Sequence, residues 1–298
     1  MTAALEAHAL GKRFRRGWAL RDCTLTIPER AVVGLAGPNG AGKSTLLGLA
    51  VGLLVPTEGR ISVLGHDPRD EAILAHVGYV PQDAPLYRSF TVRETLEFAR
   101  ATNPHWDRKL AREVLARFDD ATRVAALSAG ERARLTLALA LGKRPALLLL
   151  DEPFARLDPL AGREFLQMLM DGVAATAATV VIASHVVADI ERVCDHIVLL
   201  SRGRVRLQGN VDELLGSHRL LTGARRPLGT IRGVEEIVRE RHSGRQLTLL
   251  VRAHGPLVDS SWSVDEIGLE DLLLAYMAPE QLPRPRTPEP AGRLRWHG

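Results

Sequence analysis

The densest chemistry in the chain lies in the consecutive residues Gly37-Pro38-Asn39-Gly40-Ala41-Gly42-Lys43-Ser44. They fit GxxxxGK[ST], a phosphate-binding loop. Its glycines let backbone N–H groups turn inward to face phosphate oxygens. A helix opening at Lys43 would add the partial positive charge of its N-terminus. In such a loop the Lys43 ammonium reaches the β- and γ-phosphates and the Ser44 hydroxyl ligates Mg²⁺. The second group is ALLLLDE at 146–152, an apolar run ending in Asp151 and Glu152. A buried parallel strand presents its C-terminal end at the ligand side of its sheet. There Asp151 is expected to hold the Mg²⁺ shell, and Glu152 to orient or deprotonate an attacking water. Many strands end in acids, so this second group takes its meaning from the first.

The elements that must position these groups surround them. AVVGLA at 31–36 reads as a buried strand that feeds the Gly-rich turn and a helix over about 43–52. GRISVLG at 59–65 and HVGYVP at 76–81 read as further strands. Thr91-x-x-Glu94 is a capping box that opens a helix to about 101, with a second helix near 108–118. Helices at 131–141, 159–171 and 187–192 alternate with strands at 146–151 and 178–184, and HIVLLS and RVRLQG add two strands. This alternation predicts an α/β domain with a largely parallel sheet. The segment 83–128 lacks strand signals and reads as a helical insertion, giving a helical subdomain over about 83–145.

Beyond residue 216 the composition changes. RQLTLLVRA at 245–253 and GLEDLLLAYM at 268–277 predict a small α+β appendage over 217–278. The stretch 279–298 holds five prolines and little apolar periodicity, so a disordered tail is expected there. The whole chain has 298 residues, 46% hydrophobic and 25% charged, which suits a globular protein with one large and one small domain. A net charge of +4, with its basic residues scattered, makes no case for nucleic acid. Cys23 and Cys194 form neither a metal pattern nor a disulfide framework and fit a reducing compartment. No signal peptide is expected at the N-terminus. The apolar runs fall short of the roughly 20 residues of a membrane span. Any membrane role would need its pore in another chain.

Taken in order, GPNGAGKST, Gln82, LSAGE at 127–131, LLLLDEP, ARLDP at 155–159 and His185 resemble the nucleotide-binding domain of ABC transporters. The resemblance covers residues 1 to about 216, and LSAGE discriminates it from other phosphate-loop ATPases. It implies a phosphate-loop NTPase fold of the ABC type, with ATP and Mg²⁺ as ligands. It also implies nucleotide contacts at Gly37, Asn39, Gly40, Ala41, Gly42, Lys43, Ser44 and Thr45. Phe14 would stack on adenine, with Trp18 as the other candidate. Gln82 would sense Mg²⁺ and the γ-phosphate, completing a metal set with Ser44 and Asp151. Ser128 and Gly130 would face a γ-phosphate held by a partner subunit. Asp158 would stand at the subunit junction, and His185 would contact the γ-phosphate beside Lys43, Gln82 and Glu152.

Three positions depart from the family's usual sequence. Ala129 and Glu131 stand in place of glycine and glutamine in LSGGQ, and Arg156 stands where a small residue is common. The negative charge of Glu131 near a phosphate bears on rate rather than on function. Ser128-x-x-Glu131 is also a capping box, and the two readings agree, since a capped helix N-terminus is an anion site. The resemblance implies a homodimer or heterodimer of ATPase subunits on the inner face of the cell membrane, docked to permease subunits through the helical insertion. The C-terminal part and NPHWD at 103–107 resemble ATPases of ABC-2-type bacterial exporters, with an importer as the alternative. Ribosome-acting members typically carry two such domains in one chain, and DNA-repair members insert a long coiled coil. This sequence has one phosphate loop, and the stretch from Gln82 to Ser128 is too short for that insertion.

Overall fold

A computed structural model describes residues 3–116, 118–225, 231–255 and 261–278. The expected disordered tail at 279–298 lies outside the described residues. The chain opens with β1 (Ala3–Phe14), β2 (Gly17–Pro28), β3 (Val32–Ala36), α1 (Lys43–Ala50), β4 (Glu58–Val63), α2 (Glu71–Leu74) and β5 (Val77–Val80). A helical stretch follows: α3 (Val92–Thr102), α4 (Arg108–Val114), a 3₁₀ turn at Val124–Ala126 and α5 (Ala129–Gly142). Alternation resumes with β6 (Leu147–Asp151), α6 (Pro159–Thr176), β7 (Thr179–Ser184), α7 (Val187–Ile190), β8 (His196–Ser201), β9 (Arg204–Asn210) and α8 (Val211–Ser217). The last described elements are β10 (His218–Ala224), β11 (Val234–Ser243), β12 (Gln246–Ala253), β13 (Trp262–Asp265) and α9 (Leu269–Met277).

The central sheet runs β5-β6-β7-β3-β8-β9. All its neighbours are parallel except β8–β9. Every residue of β3, β6 and β7 is buried, which is why their sequences read as unbroken apolar runs. The two-residue strand period divides those runs between two cores. Leu147 and Leu149 join α1 and the sheet β2-β1-β4 on one face, while Leu148 and Leu150 join α5 and α6 on the other. Strand β7 lies between β6 and β3, with Asp151 opposite Ala183 and Ala36 opposite Ser184. The loops leaving β3, β6 and β7 therefore open on one edge of the sheet, where ligands of parallel sheets bind.

Strands β10 to β13 build the antiparallel sheet β11-β12-β10-β13 around Leu221, Leu247, Leu249, Val251 and Trp262. Helix α9 contributes elsewhere: Leu269, Leu272 and Leu273 pack in the same core as Phe165, Ile190 and Ile197. His218 at the start of β10 is 0% exposed. Its Nδ1 lies 2.7 Å from the Leu214 carbonyl and its Nε2 lies 2.9 Å from the Tyr276 hydroxyl. A carbonyl only accepts, so Nδ1 carries the hydrogen and Tyr276 donates to Nε2. Burial pushes the imidazole below its ordinary 6.5, with Arg252 and Arg219 adding to the shift and the Leu214 bond and Glu236 opposing it. A His held neutral in the fold is protonated first in the unfolded chain, so its contribution is intact above about pH 6.5 and declines as the pH falls below that. Between pH 7.5 and 5.5 the wild-type melting temperature is expected to fall more than that of His218→Gln. Equal slopes would remove this role.

Candidate functional site

Strand β3 delivers the chain to Gly37, and α1 carries it away from Lys43. The turn between them requires glycine at two points. Gly37 has φ +153, and a Cβ there would lie 2.2 Å from the Leu200 carbonyl oxygen. Gly42 has φ +111, and its Cβ would lie 2.7 Å from the Ala19 carbonyl oxygen. Both positions bring backbone against backbone, which no side chain tolerates. Gly42 caps α1, so the first turn of that helix aims its free N–H groups at the loop. Asn39 and Gly40 are exposed at the tip, Ala41 is buried beneath them, and Thr45 is half-buried on α1.

Five side chains converge at this edge. Lys43 is 5% exposed, and its Nζ donates to the Gly37 carbonyl at 2.7 Å. The same Nζ lies 3.1 Å from Glu152 Oε1. Glu152 adopts φ +49, and its backbone N–H donates to Ala183 of β7 at 2.9 Å, which fixes its place beside the neighbouring strand. Glu152 Oε2 lies 2.8 Å from His185 Nδ1. The carboxylate is thus gripped by an ammonium on one oxygen and an imidazole on the other. Ser44 Oγ donates to Asp151 Oδ1 at 3.1 Å. Burial pushes the Asp151 carboxyl above the usual range, with the Ser44 bond opposing that shift. Tyr79 of β5 is pushed up to about 12 by burial and the nearby Asp151 charge. Asp189 of α7, which sequence reasoning did not single out, is also raised by burial, and the charges of His185 and Glu152 act on it. The only sequence signal for it is its place one helical turn past His185.

Of the other expected residues, Gln82 adjoins this cluster and the rest stand apart from it. Gln82 shares a cavity of about 210 Å³ with Glu152, Arg156 and Ala129. Ser128 caps α5, accepting from the Glu131 backbone N–H at 3.2 Å, and Glu131 Oε2 accepts from the Ser128 N–H at 2.8 Å. These bonds to Ser128 hold the Glu131 carboxyl below its usual range. Asp158 caps α6, accepting from Leu160 and Ala161 at 2.9 and 3.0 Å. Ser128, Gly130 and Asp158 line one groove of about 600 Å³, and no residue of the loop 37–44 lines it. Phe14 ends β1 with 45% exposure and Lys12 Nζ 5.3 Å from its ring, while Arg13 lies 5.9 Å from the Trp18 ring.

Comparison with known proteins shows the family of the chain. The pattern of the family described as "ABC transporter" matches residues 20–155. The lipopolysaccharide export system ATP-binding protein LptB of Haemophilus influenzae is 31% identical over 228 residues, covering 72% of this chain and 94% of that protein. The chain belongs to the ATP-binding proteins of ABC transporters. This ABC ATPase is also 37% identical to the Nod factor export ATP-binding protein I of Sinorhizobium fredii, across 72% of this chain and 66% of that one. Among solved structures, it is similar to the ATP-binding cassette MJ0796, seen as a dimer in a post-hydrolysis state with ADP and Pi. That match has a TM-score of 0.62 and 26% identity, covering 70% of this chain and 98% of that one. The fold is that of a phosphate-loop ABC nucleotide-binding domain. Among the described residues no helix is long and apolar enough to cross a membrane.

Proposed function

We propose that this ABC ATPase hydrolyses Mg²⁺-bound ATP in a pair of subunits and thereby drives export through a separate membrane permease. The grip of Lys43 and His185 on Glu152 carries the reading. A carboxylate held on both oxygens beside a phosphate loop is placed to take a proton from water as the water oxygen attacks the γ-phosphorus. ADP leaves and inorganic phosphate remains. In the bound triphosphate, before that cleavage, Lys43 bonds the β- and γ-phosphates, and the backbone N–H groups of the loop, Pro38 excepted, surround them. With Nδ1–H turned to Glu152, the neutral His185 ring offers its Nε2 lone pair to the attacking water, and the imidazolium would instead donate from Nε2 to a γ-phosphate oxygen. Phe14 offers an exposed face to adenine.

The donor set fits Mg²⁺. The Ser44 hydroxyl and the Asp151 carboxylate are hard oxygen ligands in direct contact at the loop mouth, and the Gln82 amide opens into the adjoining cavity. Mg²⁺ there would neutralise charge on the β- and γ-phosphates.

Pairing is supported by the groove at the tip of α5, which the loop 37–44 does not line. Ser128 and Gly130 line a groove apart from the loop 37–44, so a γ-phosphate held by one subunit meets the α5 tip of another. Asp158 lies in that groove, at the proposed junction. Two-fold symmetry makes the arrangement self-complementary in a homodimer, and a related subunit could replace one copy. The names of LptB and the Nod factor protein, both export proteins, support the outward direction. On this reading the chain sits on the cytoplasmic face of the membrane, held by its permease through the helical stretch that starts after Gln82.

Light scattering tests the pairing. Glu152→Gln with ATP and Mg²⁺ is expected to double in mass, and with ADP to stay monomeric. Affinity capture of the chain from its own membranes is expected to bring down a polytopic protein. A mass that ATP leaves unchanged, together with capture of ribosomes instead, would end the proposal.

A further inference from the structure

Two loops flank the cluster, and an ion pair joins them. Arg156 Nη2 lies 2.5 Å from Asp83 Oδ1. Asp83 directly follows Gln82, where the chain leaves β5 for the helical stretch. Arg156 lies between Glu152 and Asp158, where the chain leaves β6 for α6. The second loop is folded on itself by backbone bonds from Ala155 to Glu152 and from Leu157 to Phe154. The Gln82–Asp83 step carries no backbone hydrogen bond among the described residues. The bond between the two loops is Arg156 to Asp83.

Arg156 also lines both spaces of the proposed site. It borders the cavity with Gln82 and Glu152, and the groove with Ser128, Gly130 and Asp158. We infer that Arg156 is a positioning residue for hydrolysis, fixing Gln82 relative to Glu152 by holding the adjacent Asp83. The inference rests on the roles proposed above for Gln82 and Glu152. The tie crosses the joint between the parallel sheet and the helical stretch, so any tilt of that stretch strains it. Both side chains are exposed, at 65% and 80%, so the bond is modest and salt-sensitive.

The test is a double-mutant cycle on the purified full chain with Asp83→Asn, Arg156→Gln and both together. Phosphate release gives kcat and KM for ATP at low and high salt, with Glu152→Gln as the control. Each single change is expected to lower kcat by about 1.5–5-fold at low salt, the range of an exposed ion pair, with KM unchanged. The double variant is expected to be no slower than the slower single one, and the losses shrink at high salt. Multiplying losses, singles at the wild-type rate, or a change confined to KM would overturn the inference. If the wild type releases no phosphate, or Glu152→Gln matches it, the proposed site falls and takes the inference with it. If Glu152→Gln is slow while the cycle shows no coupling, the inference alone falls.

Discussion

Glu152→Gln is expected to slow ATP hydrolysis by ~10²–10⁴-fold, the range for a lost general base. That corresponds to about 3–5 kcal/mol of barrier. The change is nearly isosteric and keeps the backbone at φ +49, so it adds no strain beyond what Glu already bears there. The amide oxygen can still accept from Lys43, which stands 3.1 Å from the carboxylate. What is lost is the ability to take a proton and the negative charge that orients the His185 Nδ1–H at 2.8 Å. The phosphate contacts of the loop 37–44 do not involve Glu152, so ATP affinity is expected to hold. Binding without turnover should trap the ATP-bound pair, which is why the same variant serves in the scattering experiment. The check is phosphate release under saturating ATP and Mg²⁺. A variant within about threefold of wild type would remove Glu152 from the role of base and leave the chain without an assigned one.

How far this site was legible in the sequence depends on what kind of contact made each part. Strands β3, β6 and β7 were legible because both faces are buried, and unbroken apolar runs follow from that. Strand β1 was not, because register shifts between Ala7 and Leu10 and a positive φ at Ala9 break its two-residue period. Strand β2 alternates only from Cys23 to Ile27, since Asp22 at φ +53 breaks the period ahead of it. Strand β11 is a charged edge with hardly a buried residue, and β13 has four residues, so neither carries a clean alternation. Helix α4 ends at Val114 rather than near 118, while α6 runs to Thr176, beyond the expected 171. The helical period of α9 was readable, but not that its leucines pack in the core shared with α5 and α6. The site shows the same division. Lys43, Ser44, Asp151, Glu152 and His185 were each readable as members of ordered motifs. That Lys43 and His185 take opposite oxygens of Glu152, or that Arg156 reaches Asp83, is tertiary geometry that no local pattern encodes.

Lys43→Ala is the complementary experiment, because it should spoil binding where Glu152→Gln spoils chemistry. The Lys43 ammonium is nearly sealed from water and held by the Gly37 carbonyl at 2.7 Å and Glu152 at 3.1 Å. Its geometry is therefore set by the loop itself, and the cation is already desolvated where phosphate oxygens are proposed to sit. A charge-assisted hydrogen bond in such a place contributes about 1.5–3 kcal/mol. Removing it is expected to raise the Kd for ATP by roughly 10–150-fold. A second effect acts in the same direction on rate. Glu152, whose side chain is 9% exposed, loses the ammonium that holds its Oε1 at 3.1 Å, so the carboxylate is less firmly placed toward the attacking water. Turnover in Lys43→Ala is therefore expected to stay low even when ATP is raised to saturation. Calorimetric titration with ATP, paired with phosphate release at saturating nucleotide, separates the two losses. An unchanged Kd would show that the ammonium is not where the triphosphate binds. It would also detach the Glu152 cluster from the nucleotide it is proposed to serve.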